Sequence, residues 1–260
     1  MKRLLIVACM LSIGSVVWAQ SAPPLASAQS FAVLGATTVT NAGLTVINGD
    51  LGVSPGTAVT GFPPGTVIRG AIHADDPTAV TAQADAHTAY NDLGAQTCGT
   101  NLSGQTLGTS PPGAVAVLAP GVYCFGSSTV LTGTLTLSGN GVYIFQIGST
   151  LTTTANSSVV LSNGAKAENV FWQVGSSATL GASTFLEGSI IAITSASVTG
   201  GSSVDGHIFA LGGAVTLDTD AIDTVSNQQF TIESDTTQPS AGFVTAKCCP
   251  GAISKPRNTT

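Results

Sequence analysis

Ile144-Phe145-Gln146-Ile147-Gly148 returns as Phe171-Trp172-Gln173-Val174-Gly175, then as Ile190-Ile191-Ala192-Ile193, then as Ile208-Phe209-Ala210-Leu211-Gly212. Upstream, Gly121-Val122-Tyr123-Cys124-Phe125 recurs as Gly141-Val142-Tyr143-Ile144-Phe145, and Thr45-Val46-Ile47-Asn48-Gly49-Asp50-Leu51 recurs as Thr66-Val67-Ile68-Arg69-Gly70-Ala71-Ile72. Taken as equivalent anchors, Phe125, Phe145, Trp172, Ile191 and Phe209 stand 20, 27, 19 and 18 residues apart. Each period holds about three short strand-like segments split by Gly, Ser or Asn, as in Val170 to Val174, Ala178 to Leu180 and Thr184 to Leu186. One such turn cannot bury its apolar side alone, so successive turns must stack with their backbones pairing along the coil axis. The pattern predicts a β-solenoid.

Side chains alternate sides along a strand. Alternation sends Leu151, Leu180, Val198, Val215 and Leu217 inward and Thr150, Thr152, Thr179, Thr199 and Thr216 outward. Short motifs sit at matching places before the next strand: Thr57-Ala58-Val59-Thr60, Thr154-Ala155-Asn156-Ser157, Leu180-Gly181-Ala182-Ser183 and Thr199-Gly200-Gly201-Ser202. The candidate surface is therefore Thr57, Thr60, Thr150, Thr152, Thr154, Ser157, Thr179, Ser183, Thr199, Ser202, Thr216 and Thr219. Threonine fills exposed strand positions in many proteins, but here charge is scarce as well. Only 8% of the 260 residues are charged, against roughly 25% in ordinary domains. Between Thr129 and Thr216 the charged residues are Lys166, Glu168, Glu187 and Asp205 alone. Stacked strands repeat every ~4.8 Å and threonine is stiff at χ1, so its methyls and hydroxyls form a rigid, ion-poor lattice. Water orders beside the methyls and is fixed by the hydroxyls, a layer able to merge with an ice crystal.

Lys2 and Arg3 precede an apolar run from Leu4 to Val17, and Val17-Trp18-Ala19 reads as a cleavage site. Residues 1–19 are thus expected to be a cleaved signal peptide, 20–30 a lead, 31–235 a single domain and 236–260 a loosely held tail. The protein is expected to be secreted. Asp75-Asp76-Pro77 announces a helix, with Asp76 as N-cap and Pro77 in the first turn. Ala79, Ala82, Ala86, Tyr90 and Leu93 follow at helical spacing, giving a helix over about 76–96 packed along the strands near Val122 and Val142. Residues 97–120 read as a capping loop, since solenoid ends need cover. After loss of Cys9, the even set Cys98, Cys124, Cys248 and Cys249 suggests disulfides, and a Cys98–Cys124 bridge clipping the polar loop is the first choice.

The net charge of −6 excludes a basic stripe for nucleic acid or an anionic membrane, and after the leader no apolar run approaches the ~20 residues of a membrane helix. Catalysis has few materials. His73, His87 and His207 read as structural or solvated, and no nucleophile elbow is present. Asp205, Asp218, Asp220 and Asp223 are the nearest approach to a calcium site or to a glycan-cleaving acid pair; strand-ending aspartates that cap turns are the preferred reading. Cys248-Cys249 lacks zinc-ligand spacing. No cofactor and no metal are expected. A structural surface or matrix module is the third alternative.

Three blocks carry a family resemblance: Phe31-Ala32-Val33-Leu34-Gly35, Ile47-Asn48-Gly49-Asp50-Leu51-Gly52-Val53-Ser54-Pro55-Gly56 and Asn169-Val170-Phe171-Trp172-Gln173-Val174-Gly175-Ser176-Ser177-Ala178-Thr179-Leu180. Over about residues 29 to 225 the chain resembles the secreted microbial ice-binding proteins of the DUF3494 family. The resemblance implies a mostly β fold, an irregular right-handed parallel β-helix of triangular section with one long α-helix alongside. It also implies adsorption to an ice surface through one flat face bearing T-A/G-x-T/N-like motifs, by a monomer without enzymatic activity. Thr57-Ala58-Val59-Thr60 fits that motif fully, two others end in Ser157 and Ser202, and Leu180 replaces a first threonine.

Overall fold

The computed structural model describes residues 20–224. The expected signal peptide, the tail and the pair Cys248 and Cys249 lie outside the described residues. Three sheets, paired in parallel throughout, form the three sides of a coil, and each complete turn of the chain contributes one strand to each side, the turns at the two ends contributing fewer. Face A has nine strands, face B seven and face C eight. Val170–Val174, for example, belongs to face A, Ala178–Leu180 to face B and Phe185–Glu187 to face C.

The order of turns in space is not their order in the chain. Phe31–Gly35 lies between Asp50–Val53 and Ile208–Ala210, so the first strands stack on the last complete turn. The coil thus has a seam where two distant chain segments meet. One end is formed by Ala58–Thr60, Thr66–Ile68 and Ile72–Ala74, the other by Thr100–Asn101, Val117–Leu118 and Thr129–Leu131. Helix α1, Pro77–Gly94, carries the chain between these ends. Eighteen residues of helix span about 27 Å, most of the ~38 Å across nine strands.

Helix α1 begins where capping chemistry places it. Asp76 is extended, its carboxylate accepts from the Ala79 N–H at 2.9 Å, and Pro77 follows. Its inner stripe is Ala82, Ala86, Ala89 and Leu93, which pack on Val122, Ile144, Phe171, Ile191, Phe209, Phe31 and Leu34. Face A is consequently buried on both sides, and its strands read as continuous apolar runs. The other core fills the lumen. Tyr123, Phe145 and Trp172 stack there along the axis, with ring centroids 5.6 and 3.9 Å apart, and Ile190, Ile208, Val33 and Leu51 continue the column.

Hydrogen-bond register corrects the repeat alignment in three places. Phe145 pairs with Tyr123 rather than Phe125, and Trp172 pairs with Ile190 rather than Ile191. The lumen anchors Tyr123, Phe145, Trp172, Ile190 and Ile208 are therefore 22, 27, 18 and 18 residues apart. A slip of two keeps a side chain on its own face, whereas a slip of one reverses it. Ile191 and Phe209 accordingly point to the helix rather than into the lumen. On face C, Ile47 pairs with Val67, one residue off the sequence match. At the corner between faces C and A, Gly188 and Gly206 have φ of +102° and +146°, and a Cβ there would sit 2.4 Å from Val170 O and 2.3 Å from Gly188 O.

The loop over 97–120 covers the far end. Leu107 is buried and bridges to Val115 and Leu131. Cys98 and Cys124 are disulfide-bonded, with Cα atoms 5.9 Å apart, tying the segment after the helix to face A.

Candidate functional site

Face A is covered by α1 and face C carries Glu187, Asp205 and Asp223 in one column of paired residues. Face B is different: none of its seven strands contains a charged residue. Parallel register sets one outward residue from each strand in a line, Val130, Thr152, Thr179, Ser197, Thr216, Thr40 and Thr60. All are exposed or half-buried, while their neighbours Leu151, Ala178, Leu180, Ala196, Val198, Val215 and Val39 fill the lumen. The line crosses the seam between Thr216 and Thr40, whose hydroxyls are 3.5 Å apart.

Hydroxyls beside this line are held in place. Thr150 donates to Ser128 Oγ at 2.7 Å, and Ser177 and Ser195 share a 2.9 Å bond. At the corner leading to face C, Thr199 donates to Leu180 O at 2.6 Å and Thr154 bonds Ser157 Oγ at 3.0 Å. With χ1 fixed by these bonds, Thr154 and Thr199 are held in single orientations while remaining exposed.

The corner turns share one conformation. Asn156, Ser183, Gly201 and Thr219 have φ of +59°, +57°, +77° and +59°, and each is followed by a buried polar residue: Ser157, Thr184, Ser202 and Asp220. A left-handed residue swings the next side chain inward. Ser157 and Ser202, expected on the outer surface, are 0% and 2% exposed; the motif match that placed them outside treated the last residue of each turn like the first, whereas the left-handed residue before it turns the chain toward face C and leaves that last side chain inside. The third motif is also displaced by one residue: Thr184 is the counterpart of Ser157 and Ser202, so Gly181-Ala182-Ser183-Thr184 is the matching set. Inside, Thr184 Oγ1 bonds Thr153 Oγ1 and donates to Gly181 O, both at 2.7 Å, and Ser202 Oγ donates to Thr199 O at 2.7 Å.

Of the predicted residues, Thr60, Thr152, Thr179 and Thr216 lie in the central line, Thr150 beside it, and Thr154, Thr199, Ser183 and Thr219 at the corner. Thr57 is exposed just before the terminal strand Ala58–Thr60. Thr40, Ser197 and Val130 complete the line and were missed. The alternation Thr38-Val39-Thr40 carried the signal for Thr40, but its place depends on a seam that chain order conceals.

The four aspartates do not converge on a substrate site. Asp220 is buried and its carboxylate accepts from Ser202 N at 3.1 Å and Asp218 N at 2.7 Å. Asp218 is exposed at the edge of face B, while Asp205 and Asp223 stand on face C. Burial pushes the Asp220 carboxyl up, and the two donated N–H bonds oppose the shift. Among the described residues no cluster of His, Cys, Asp or Glu has metal-holding geometry. His207 is buried with Nδ1 2.7 Å from Phe31 O, and desolvation holds it below the usual imidazole range. His73 Nδ1 lies 2.7 Å from Asp76 Oδ2 at the helix start. His87 is exposed on α1.

Comparison with known proteins agrees with this geometry. The family model described as ice-binding-like matches residues 33–223. An ice-binding protein of Nostoc sp. (strain HG1) is 46% identical over 218 residues, covering 82% of this chain and 77% of its own. The solved ice-binding protein of the Antarctic ascomycete Antarctomyces psychrotrophicus superposes with a TM-score of 0.74 at 42% identity, covering 79% of this chain and 99% of that one. The DUF3494 domain of Shewanella frigidimarina ice-binding protein 1 gives 0.71 at 28% identity, over 78% and 97% of the two chains. The chain is a β-helical member of the ice-binding-like family, whose named relatives are ice-binding proteins.

Proposed function

We propose that the protein is secreted, acts as a monomer, and adsorbs to ice through face B, thereby limiting ice growth and recrystallisation. The observation that carries the reading is the seven-residue, charge-free outward line from Val130 to Thr60, flanked by hydrogen-bonded Ser and Thr. Lines of side chains repeat every ~4.8 Å across strands, and columns stand ~6.7 Å apart along them, since alternate residues face outward. Charged groups would order water radially around themselves; this grid orders it over methyls and anchors it at fixed hydroxyls. Adsorbed molecules force the crystal to advance as curved fronts between them, which lowers the local freezing point. The named activity of the relatives supports the same reading.

The purified protein is expected to shape single ice crystals and to stop grain coarsening in a frozen film, and unaltered crystals at high concentration would reject the reading. Comparison of Thr179→Tyr with Ser203→Tyr on face C assigns the face. The first should lose potency with its fold intact, and the second should not; the opposite order would move the contact to face C.

A further inference from the structure

The lumen side of the corner between faces B and C holds a hydrogen-bond chain that crosses the seam. Asp220 Oδ1 accepts from Ser202 N at 3.1 Å in the turn on one side, and Oδ2 accepts from Asp218 N at 2.7 Å in its own turn. Across the seam, Asp220 N donates to Thr45 Oγ1 at 3.0 Å, and Thr45 Oγ1 donates to Asn41 Oδ1 at 2.6 Å. Asn41 Nδ2 then donates to Gly43 O at 2.6 Å and to Gly61 O at 2.9 Å in the terminal turn. Asp220, Thr45, Asn41 and Ser202 are 3%, 0%, 9% and 2% exposed, so water offers these groups little alternative.

The position equivalent to Asp220 is Ser157, Thr184 or Ser202 in the preceding turns. A hydroxyl there serves one chain segment that continues into the next turn. At the seam the adjoining turns are 175 residues apart in sequence, and no covalent continuity sets their relative height or register. The Asp220 carboxylate accepts two N–H bonds at once, from Ser202 and Asp218 on the near side of the seam, and so fixes the peptide of Asp220; that peptide crosses the seam, its N–H donating to Thr45 Oγ1 and its C=O accepting from Val46 N.

Resting on the assignment of face B to ice, we propose that Asp220 is a positioning residue for ice adsorption: through Thr45 and Asn41 it locks the register between Thr216 and Thr40, so that two separate chain segments present one continuous line. Backbone ladders on all three faces cross the seam; buried N–H groups left without an acceptor are costly, so the clamp adds to those ladders at the corner next to the exposed Thr216–Thr40 contact.

Asp220→Asn keeps the shape but sets an NH2 against one of the two N–H donors. The expected result is hydrogen exchange about tenfold faster, ~1.4 kcal/mol of local opening, at Ala42 N, which donates to Leu217 O, and Val46 N, which donates to Asp220 O. Thr152 and Thr179 should keep wild-type exchange. The concentration needed to arrest recrystallisation should rise severalfold at a temperature where circular dichroism is unchanged. Thr45→Val cuts the same chain from the other side and should act alike, while Thr45→Ser, which keeps the hydroxyl, should restore both readouts. Uniformly faster exchange, unchanged seam amides, seam loosening with undiminished ice potency, or failure of both Asp220→Asn and Thr45→Val to fold would each overturn the proposal. A wild-type protein without effect on ice would reject face B instead, and the exchange pattern would still decide whether the clamp exists.

Discussion

Thr179 stands between Thr152 and Ser197 in the middle of the outward line, and its role differs in kind from that of Ser202 a few residues away. Thr179→Tyr places a ring above a surface that must stay flat, without touching the lumen, where Ala178 and Leu180 pack. The expected outcome is a loss of recrystallisation potency of about tenfold, equivalent to ~1.4 kcal/mol of contact, with an unchanged melting temperature. Ser202→Ala has the reverse signature. It strips Thr184 N of its acceptor, 3.1 Å away, and a buried orphan donor costs about 1–3 kcal/mol. Thermal unfolding should show that loss, with the exposed line still competent while folded. Alternation made Thr152, Thr179 and Thr216 legible in the sequence, because within a strand the side of a residue follows from its neighbour. The match of four-residue motifs misplaced Ser157 and Ser202, because a left-handed residue sits just before each; Asn156 and Gly201 are of types that favour that conformation, but Asn140 and Gly200 do not adopt it, so the residue type alone did not mark the turn.

At the scale of elements, helix α1 was the clearest: Asp76 and Pro77 mark its start and the alanine stripe marks its inner side. Ala82, Ala86 and Ala89 are fully buried, so the helix lies as close to face A as its backbone permits. Ala86→Leu adds three carbons at a fully buried contact with face A, and overpacking of this sort costs about 1–3 kcal/mol. Chemical denaturation should show the loss, and crystals grown in the presence of the variant should keep the wild-type habit because face B is on another side. The Cys98–Cys124 bond, closing a separation of 26 residues, was legible from the polar loop between its partners. The order of strands across the seam was not. Repeats reveal that turns stack, but the pairing of Phe31–Gly35 with Ile208–Ala210 joins segments of little likeness, and only the shared apolar run of face A hinted at it.

For the molecule as a whole, ion poverty leaves few groups to set a pH response, and Glu187 is a carboxyl that its surroundings move into the neutral range. It is half-buried on face C, opposite Asp205 in the paired strand. Desolvation, and secondarily the Asp205 charge, push its carboxyl up from 4.5 to about 7. The folded protein therefore holds a proton that the unfolded chain has released, and where the folded state binds more protons stability falls as pH rises. The favourable contribution is fully present below 4.5 and is lost as pH climbs to about 7. His207 works in the other direction: held neutral by burial, it lowers stability as pH falls below 6.5, where the unfolded imidazole takes up a proton. Since the two slopes oppose each other, the wild-type profile alone does not separate them, and the comparison with Glu187→Gln does. Glutamine keeps the length of the side chain and removes the titration, so the variant should gain stability relative to wild type from pH 4.5 to about 7 and hold a level difference above that. Calorimetric melting across that range checks it: a constant offset between the two proteins would show that Glu187 ionises normally, whereas a difference growing with pH ties the acid preference of the fold to this one pair on face C. Face B carries no titrating group on its strands, so ice potency per folded molecule should stay flat over the same range.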